Sequence, residues 1–300
     1  MSTVASATQN PGLVPCSSAT AAFMLAFVVM SNPLASATSW DLVAKEYAEV
    51  TAPFFEHYAR IALDRAGVRS GTRVVDIAAG PGTLGRLAAR RGCRVMAVDF
   101  SPGMIEELRA SSAGAGLLIE AQAADGQSLP FADGSYDAAF SMFGLIFFPN
   151  RAKGLSEMFR VLVPGGLGVI SSWQPVERFP LLGDVFAAIR NLLPNLPFGG
   201  GNTVLGTAAE IEDEISRAGF TSVVAEEISA SFAAGSLEEA WDFLRRGSAP
   251  FALLERTIGD SAWRKLQDDI VMALRTKYGS GPQHLTISAN LGIGRKAATT

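Results

Sequence analysis

The sequence predicts a doubly wound α/β fold, in which helices cover both faces of a largely parallel β-sheet. Short apolar runs alternate with helical patterns from about residue 73 to residue 173, which is typical of parallel strands joined by crossover helices. Five such runs fall within about a hundred residues, a density that indicates a compact unit. With 300 residues, of which 48% are hydrophobic and 18% charged, the chain can also bury a sizeable core.

Five strands are predicted in the first part of this unit. They are expected over residues 73–79, 94–99, 117–121, 136–142 and 167–173. Helices are expected between them, over residues 83–91, from Ser101 as N-cap, and over residues 150–163, where Pro164-Gly165-Gly166 marks an end. A helical segment over residues 41–66 precedes the sheet, and it should be kinked or divided at Pro53 because proline lacks an amide hydrogen.

The second half of the chain predicts two helical excursions from the sheet. Residues 174–205 are rich in Pro, Gly and Phe, and residues 229–284 lie between strands expected at 221–228 and 285–294. Capping boxes at Thr207 and Ser236 open helices, the second in a helical region that reaches about residue 278. Both excursions should lie over the carboxyl ends of the parallel strands, where open α/β sheets bind ligands.

Charge and cysteine content exclude several classes of function. Lys and Arg total 25 against 29 Asp and Glu, without basic clusters, which argues against nucleic acid as the main partner. Cys16 and Cys93 lie far apart without metal-ligand spacing, so neither a disulfide framework nor a metal site is expected. A reducing compartment is the simplest setting, and we expect a cytoplasmic protein.

The amino terminus has an unusual composition. Nothing charged precedes Asp41, and an apolar run over residues 21–30 is followed by Ala35-Ser36-Ala37, which resembles the cleavage site of a secretory signal. The basic region of such signals is missing, and ten residues are too few to span a bilayer. We therefore expect residues 1–39 to be a disordered leader, residues 40–297 to form the functional domain, and no stable membrane insertion.

A glycine-rich turn follows the first predicted strand, in the segment Val74-Val-Asp-Ile-Ala-Ala-Gly-Pro-Gly-Thr-Leu-Gly85. Gly80, Gly82 and Gly85 satisfy the G-x-G-x-x-G pattern of dinucleotide sites. That pattern holds a pyrophosphate at a helix N-terminus, whereas Asp76 at the strand end would repel phosphate and attract a cation. The segment therefore favours a ligand that carries positive charge and no phosphate.

A second acidic residue, Asp99, ends the next strand. A carboxylate there can accept both hydroxyl groups of a ribose, and Phe100 and Met104 would pack against an adenine ring. Asp99 could instead simply cap the helix that begins at Ser101. Because it follows Asp76 by 23 positions at a second strand end, the binding interpretation is favoured.

The turn ending in Gly82 resembles the glycine-rich first motif of class I S-adenosylmethionine-dependent methyltransferases, with Ala78 and Ala79 where glycine and cysteine or alanine are common. Residues 124–137 resemble the family segment whose acidic residue, here Asp125, receives the adenine amino group, although Asp-Gly alone is more often only a turn. Residues 140–149 and 157–166 resemble the small-molecule branch that includes the ubiquinone and menaquinone C-methyltransferases. The resemblance covers residues 40–173 and, more weakly, 219–296.

This resemblance implies a Rossmann-like seven-stranded sheet, ordered 3-2-1-4-5-7-6 with the last strand antiparallel. It implies S-adenosyl-L-methionine as the cofactor and transfer of its methyl group to a small-molecule acceptor. The expected cofactor-binding residues are Tyr47, Asp76, Ala78, Gly80, Gly82, Asp99, Phe100, Met104, Asp125, Gly126 and Ser141.

The acceptor is expected to be apolar, since the two excursions are rich in aromatic residues. These are Trp173, Phe179, Phe186, Phe198, Trp241, Phe243 and Phe251. In-line displacement needs a general base only if the nucleophile must lose a proton, and the candidates are His284 and Tyr47, with Arg245 and Arg246 as comparable alternatives. Two other functions stay open: an NAD(P)-dependent oxidoreductase and a non-catalytic S-adenosylmethionine-binding subunit.

Overall fold

The structure is a computed structural model that describes residues 32–194 and 203–298. Most of the predicted leader therefore lies outside the described residues, as do Cys16 and Phe198. The described end of the leader forms a 3₁₀ turn over Pro33–Ala35. The Trp40 indole donates to the carbonyl oxygen of Leu34 at 2.9 Å, which fixes this turn against the first helix.

Seven strands form one mixed sheet. They are β1 (Arg73–Ile77), β2 (Arg94–Asp99), β3 (Glu120–Ala123), β4 (Tyr136–Met142), β5 (Leu162–Trp173), β6 (Thr221–Ala234) and β7 (Gln283–Arg295). Their order is β3-β2-β1-β4-β5-β7-β6, and β7 runs antiparallel to both of its neighbours. The expected order and the antiparallel last strand are confirmed.

Eleven α-helices lie within the described ranges. They are α1 (Ala37–Asp41), α2 (Ala44–Glu46), α3 (Ala52–Arg65), α4 (Thr83–Arg90), α5 (Pro102–Gly114), α6 (Arg151–Val161), α7 (Pro180–Leu192), α8 (Ala208–Arg217), α9 (Leu237–Arg245), α10 (Ala249–Ile258) and α11 (Asp260–Tyr278). A π-helical turn, Tyr47–Thr51, joins α2 to α3.

Helices cover both faces of the sheet because successive side chains of a strand point to opposite faces. Val74 packs with α3 and α4 on one face, whereas Val75 packs with α6 and α8 on the other. Both valines are fully buried, as the central strand of a parallel sheet requires. The doubly wound architecture is therefore confirmed, and β1 lies between β2 and β4, where the connections diverge.

Four helices, α7 and α9–α11, form a separate layer with its own apolar core, which we call the lid. Phe179, Trp241, Phe251 and Trp263 are buried within it. The ends of β6 and β7 extend beyond the parallel strands to reach this layer, since they stay paired as far as Ala234 and Gln283. The second insertion is consequently shorter than the expected 229–284, because its first and last residues belong to strands.

Several element boundaries differ from the prediction. β5 begins at Leu162, before the Pro-Gly-Gly sequence that was expected to separate helix from strand. β3 lies at Glu120–Ala123 because these residues pair with Met96–Asp99 of β2, and the preceding apolar run stays outside the sheet, with Leu118 94% exposed. Antiparallel pairing with β7 likewise carries β6 past residue 228.

The helical segment before the sheet is divided at Leu42 and Val43 rather than at Pro53. Pro53 lies in the first turn of α3, where its missing amide hydrogen has no partner to lose. The capping box at Thr207 is complete. At Ser236 it is displaced, because the Glu239 carboxylate accepts from the amide of Gly235 rather than from that of Ser236.

Within the described ranges, no helix is both long enough and apolar enough to cross a bilayer.

Gly82 offers a test of the close contact between the glycine turn and α5. Its φ is +82°, and a Cβ placed there would lie 2.6 Å from Cγ of Leu108. We expect Gly82→Ala to lower the free energy of unfolding by about 2–4 kcal/mol, since backbone strain and overpacking add. Denaturant titration would measure this loss. Gly116→Ala is the control, because Gly116 has φ +65° but no atom within 4 Å of its Cβ position; equal losses in the two variants would contradict the packing argument.

Candidate functional site

A cavity of about 760 Å³ lies between the carboxyl ends of the parallel strands and the lid. Its volume is within the range of small-molecule sites, roughly 300–1,000 Å³. Eight of the eleven expected cofactor-binding residues line it. These are Tyr47, Ala78, Gly80, Asp99, Phe100, Met104, Asp125 and Gly126. Residues more than 75 positions apart in the sequence thus meet at one place.

The glycine turn bends sharply between β1 and α4. Ala78, Gly80 and Gly82 have φ angles of 56°, 55° and 82°, which is the left-handed region. For Ala78, a residue with a Cβ, this conformation costs on the order of 1–3 kcal/mol, a strain typical of functional sites. Ala78 and Gly80 line the cavity, whereas Gly82 packs on Leu108 of α5.

Asp99 ties this turn to α5. Its Oδ2 accepts from the Gly80 amide at 2.8 Å, and its Oδ1 accepts from the Ser101 amide at 2.9 Å. The carboxylate is 6% exposed, yet it lines the cavity. Burial raises its pKa to about 6, opposed by hydrogen bonds from Ser101 and Gly80 and reinforced by the negative charge of Asp41.

Asp76 lies beneath the same turn, with 2% of its surface exposed. Its Oδ2 accepts from the amide of Gly85 at 3.0 Å. Burial raises its pKa to about 7, although the Gly85 hydrogen bond opposes this, and the charge of Asp99 adds to the increase. It lines a small space of about 50 Å³ that shares Tyr47, Ala78 and Gly80 with the main cavity.

Neither buried carboxylate makes an ion pair in the described part of the chain, and no cation contributes to the pKa shift of either one. An uncompensated buried charge is costly, so the folded protein favours proton uptake at both positions. A ligand with positive charge would favour the ionised forms instead. The electrostatics of the turn therefore suit a cation and oppose a phosphate.

Asp125 and Gly126 follow β3, the strand that pairs with the end of β2 at Asp99. Oδ1 of Asp125 accepts from the Gln127 amide at 2.8 Å, so the Asp-Gly pair is a turn as well as part of the cavity wall. Gly126 has no room for a side chain, because a Cβ would lie 2.5 Å from Cζ of Phe148. The turn is thus packed against the wall that Phe148 forms.

The segment containing α1, α2 and the π-helical turn closes one side of the cavity. Oδ1 of Asp41 accepts from Oγ of Ser101 at 2.5 Å and from the Gly103 amide at 2.9 Å, which anchors the segment on the N-terminus of α5. Tyr47 lines the cavity behind it, and burial, followed by the Asp99 charge, raises the pKa of its hydroxyl well above the ordinary value. Tyr47 is therefore protonated near neutral pH and can donate a hydrogen bond.

Ser141 is placed behind the cavity wall and does not line it. Its Oγ is fully buried and has no hydrogen-bond partner among the described residues. The wall itself is made by Phe143, whose φ is 59° and whose ring stacks on Trp173 with centroids 4.0 Å apart. Sequence reasoning missed Phe143, and the apolar run after β4 was the signal that could have found it.

The structure does not bring His284 to the cavity. Its side chain is exposed on the outer part of β7, opposite Ala233, and is absent from the lining residues. His284 was expected at the start of the last strand, but this end of the β6–β7 pair projects beyond the sheet. Arg245 also lies outside the lining and is paired with Asp242, whereas Arg246 lines the cavity.

Away from Asp99 and Asp125, the cavity is largely aromatic. Of the aromatic residues expected there, five line it: Trp173, Phe179, Phe186, Phe243 and Phe251. Trp241 packs in the lid core instead. Phe54 and Phe55 of α3 complete the wall and were not singled out in the sequence.

Sheet order, glycine turn and acidic strand ends together define the class I methyltransferase fold. Residues 74–166 match the family model described as a methyltransferase domain. This match confirms the resemblance to methyltransferases seen in the sequence.

The curated relatives of this chain include a methyltransferase and uncharacterised proteins. A demethylmenaquinone methyltransferase of Beutenbergia cavernae is 41% identical over 125 residues, which cover 40% of this chain and 50% of that one. An uncharacterised protein of Mycobacterium tuberculosis is 36% identical over 148 residues, 49% of this chain and 52% of the relative. The chain spans about half the length of the curated relatives it matches.

Among solved structures, the YcgJ protein of Bacillus subtilis has a TM-score of 0.54 at 20% identity, covering 81% of this chain and 99% of that one. At this identity the similarity establishes the fold alone.

The two buried carboxylates give the free protein a characteristic pH dependence. A carboxyl group whose pKa is raised on folding binds more protons in the folded than in the unfolded state, so its contribution to stability is lost as pH rises. We expect the free energy of unfolding to fall between about pH 4 and pH 7 through Asp76 and Asp99. Asp76→Asn should stabilise the free protein at pH 8 by a few kcal/mol, about 1.4 kcal/mol for each unit of raised pKa removed.

Denaturant titrations at pH 5 and pH 8 would measure this effect. Asp137→Asn is the matched control of opposite sign, because hydrogen bonds from Arg73 hold the pKa of Asp137 below its usual value. That variant should lose stability at pH 8. Destabilisation of Asp76→Asn at pH 8 would contradict the account.

Asp41 provides a second test, of the anchor between the N-terminal segment and α5. Asp41→Ala removes the acceptor for Ser101 and Gly103, and we expect a loss of about 1 kcal/mol in the free energy of unfolding, as for other helix N-terminal caps. Asp41→Asn keeps an acceptor oxygen and should lose less. Equal stability of Asp41→Ala and the wild type in urea would show that the anchor contributes nothing.

Proposed function

We propose that this protein is an S-adenosylmethionine-dependent methyltransferase acting on a small, apolar acceptor. The observation that carries the proposal is the pair of buried carboxylates, Asp76 and Asp99, that flank the glycine turn without a cation. The methyltransferase domain over residues 74–166 supports the same activity.

The described residues fit this cofactor. Asp99 would accept hydrogen bonds from the ribose hydroxyls, since each of its oxygens has a second lone pair beyond the amide it already binds. Asp125 would receive the adenine amino group, with Phe100, Met104 and Gly126 beside the ring. Ala78 and Gly80 would admit the amino-acid part, and Asp76 would orient it from below. Ser141 and Gly82 would support the wall and the turn without direct contact.

When bound, the cofactor supplies a methyl group on a positively charged sulfur. The protein's part is to position the acceptor in line with that group and to exclude water, because such a displacement needs a reach of about 3–3.5 Å and good alignment. The aromatic part of the cavity, away from Asp99 and Asp125, can do both, and we call it the acceptor part. Tyr47, as a protonated donor at the junction of the two parts, can orient an oxygen of either ligand.

A dinucleotide-binding oxidoreductase is the weaker alternative. A pyrophosphate needs free amide donors in the glycine turn. Here the Gly80 amide is bound to Asp99 and the Gly85 amide to Asp76, so both donors are occupied and both partners are acidic. A non-catalytic binding subunit would not need the large aromatic space beside the cofactor residues.

Asp99→Ala tests the proposal directly. We expect wild-type protein to bind S-adenosylhomocysteine, measured by calorimetry, and the variant to bind at least about a hundredfold more weakly, since two charge-assisted hydrogen bonds are lost. Asp64→Ala is the control, because the exposed carboxylate of Asp64, on α3, pairs with Arg91 and does not line the cavity. Tight binding of NAD by the wild type, with none of S-adenosylhomocysteine, would favour the oxidoreductase.

A further inference from the structure

Among the described residues that line the acceptor part of the cavity, none could remove a proton near neutral pH. The carboxylates that line the described cavity, Asp99 and Asp125, both lie at the cofactor side. No histidine, lysine or cysteine is among the described lining residues, and Tyr47 is a donor. The described lining therefore suits a nucleophile that needs no deprotonation.

Two arginines are the charged side chains that line the described acceptor part, Arg178 and Arg246. Arg178 already has a partner, because its Nη2 lies 3.0 Å from Oε1 and 3.3 Å from Oε2 of Glu227. Arg246 differs. Its guanidinium is 3.7 Å from carboxylate oxygens of Glu46 and Asp242, which is beyond hydrogen-bond distance.

The backbone of Arg246 is fixed although its side chain is loosely held. Its carbonyl oxygen accepts from Oγ1 of Thr51 at 3.4 Å. The adjacent Gly247 has φ +70°, and a Cβ there would lie 2.4 Å from Oγ1 of Thr51 and 2.9 Å from Cα of Tyr47. The lid and the N-terminal segment thus meet at this point and hold a guanidinium with unused donors at the cavity wall.

From these observations we infer that the acceptor is an apolar molecule bearing an acidic oxygen group that is ionised at neutral pH, and that Arg246 selects it. The inference rests on the proposed function, since it assigns the acceptor part of the same cavity. A guanidinium with unused hydrogen-bond donors at the wall of an aromatic cavity favours an anion and disfavours an amine. A carboxylate, an acidic phenol and an enol share this chemistry.

An ionised acceptor also makes the missing base unnecessary. With the cofactor bound, the anion would supply the electron pair for the new bond to the methyl carbon, sulfur would keep the electrons of the broken carbon–sulfur bond, and no proton would have to leave. The positive charge on sulfur is neutralised in the same step. An apolar cavity assists such a reaction, because neither charged reactant is stabilised by water there.

Two matched series of probes test the inference in the presence of saturating S-adenosylhomocysteine. One series is 2-naphthoate, 2-naphthylmethanol and 2-naphthylmethylammonium, and the other is decanoate, decanol and decylammonium. In at least one series, calorimetry should show that the anion binds roughly tenfold or more tightly than the neutral and cationic probes. A difference of this size is what one charge-assisted hydrogen bond contributes. The series that binds distinguishes a flat aromatic body from an acyl chain.

Arg246→Gln should remove the preference for the anion and leave the affinity for the neutral probe unchanged. Arg246→Lys should keep part of the preference for the anion. Arg245→Gln is the matched control, because Arg245 is adjacent but does not line the cavity. Binding of S-adenosylhomocysteine by each variant shows that it is folded. Equal affinity for all charges, preference for the amine, absence of probe binding, or an anion preference that survives Arg246→Gln would overturn the inference. Failure of the wild type to bind S-adenosylhomocysteine would instead overturn the proposed function.

Discussion

The site depends on two carboxylates that are buried at the ends of neighbouring parallel strands. Asp99 and Asp76 each accept a backbone amide of the glycine turn or of the helix after it, and so they hold the turn in its left-handed path. Their burial raises the pKa of both groups, so the same geometry that shapes the turn leaves it with unbalanced negative charge. The two buried carboxylates therefore determine both the shape of the glycine turn and its preference for a cation.

The remaining elements of the cavity are arranged around this turn. Leu108 of α5 fills the space that a side chain at Gly82 would need, and Asp41 attaches the N-terminal segment to the same helix. The long β6–β7 pair carries the lid helices over the strand ends. Because these contacts come from separate parts of the chain, the lid and the cofactor residues share one enclosed space.

Local sequence signals predicted much of this structure. The start of β1 at Arg73, the end of β2 at Asp99, the cap at Ser101 and the capping box at Thr207 follow from patterns that span a few residues. The carboxylates of Asp76 and Asp99 could be located because parallel strands place their carboxyl ends at one edge of the sheet. The strand order came from the resemblance to a known family, since no local pattern encodes it.

Features that depend on distant pairing could not be predicted in this way. The extension of β6 to Ala234 requires its partner β7, about fifty residues away, and this extension moved His284 away from the cavity. Arg246 reaches the cavity because Gly247 packs on Thr51, nearly two hundred residues earlier. Phe143 lines the cavity in a left-handed conformation that the neighbouring residues in the sequence do not predict.

A cationic ligand should replace the protons on the buried carboxylates of Asp76 and Asp99. Calorimetry of S-adenosylmethionine binding at pH 6, in two buffers with different ionisation enthalpies, counts the protons exchanged. With pKa values of about 6 for Asp99 and about 7 for Asp76 in the free protein, binding should release on the order of one proton. Binding with no proton release, or with proton uptake, would contradict the account.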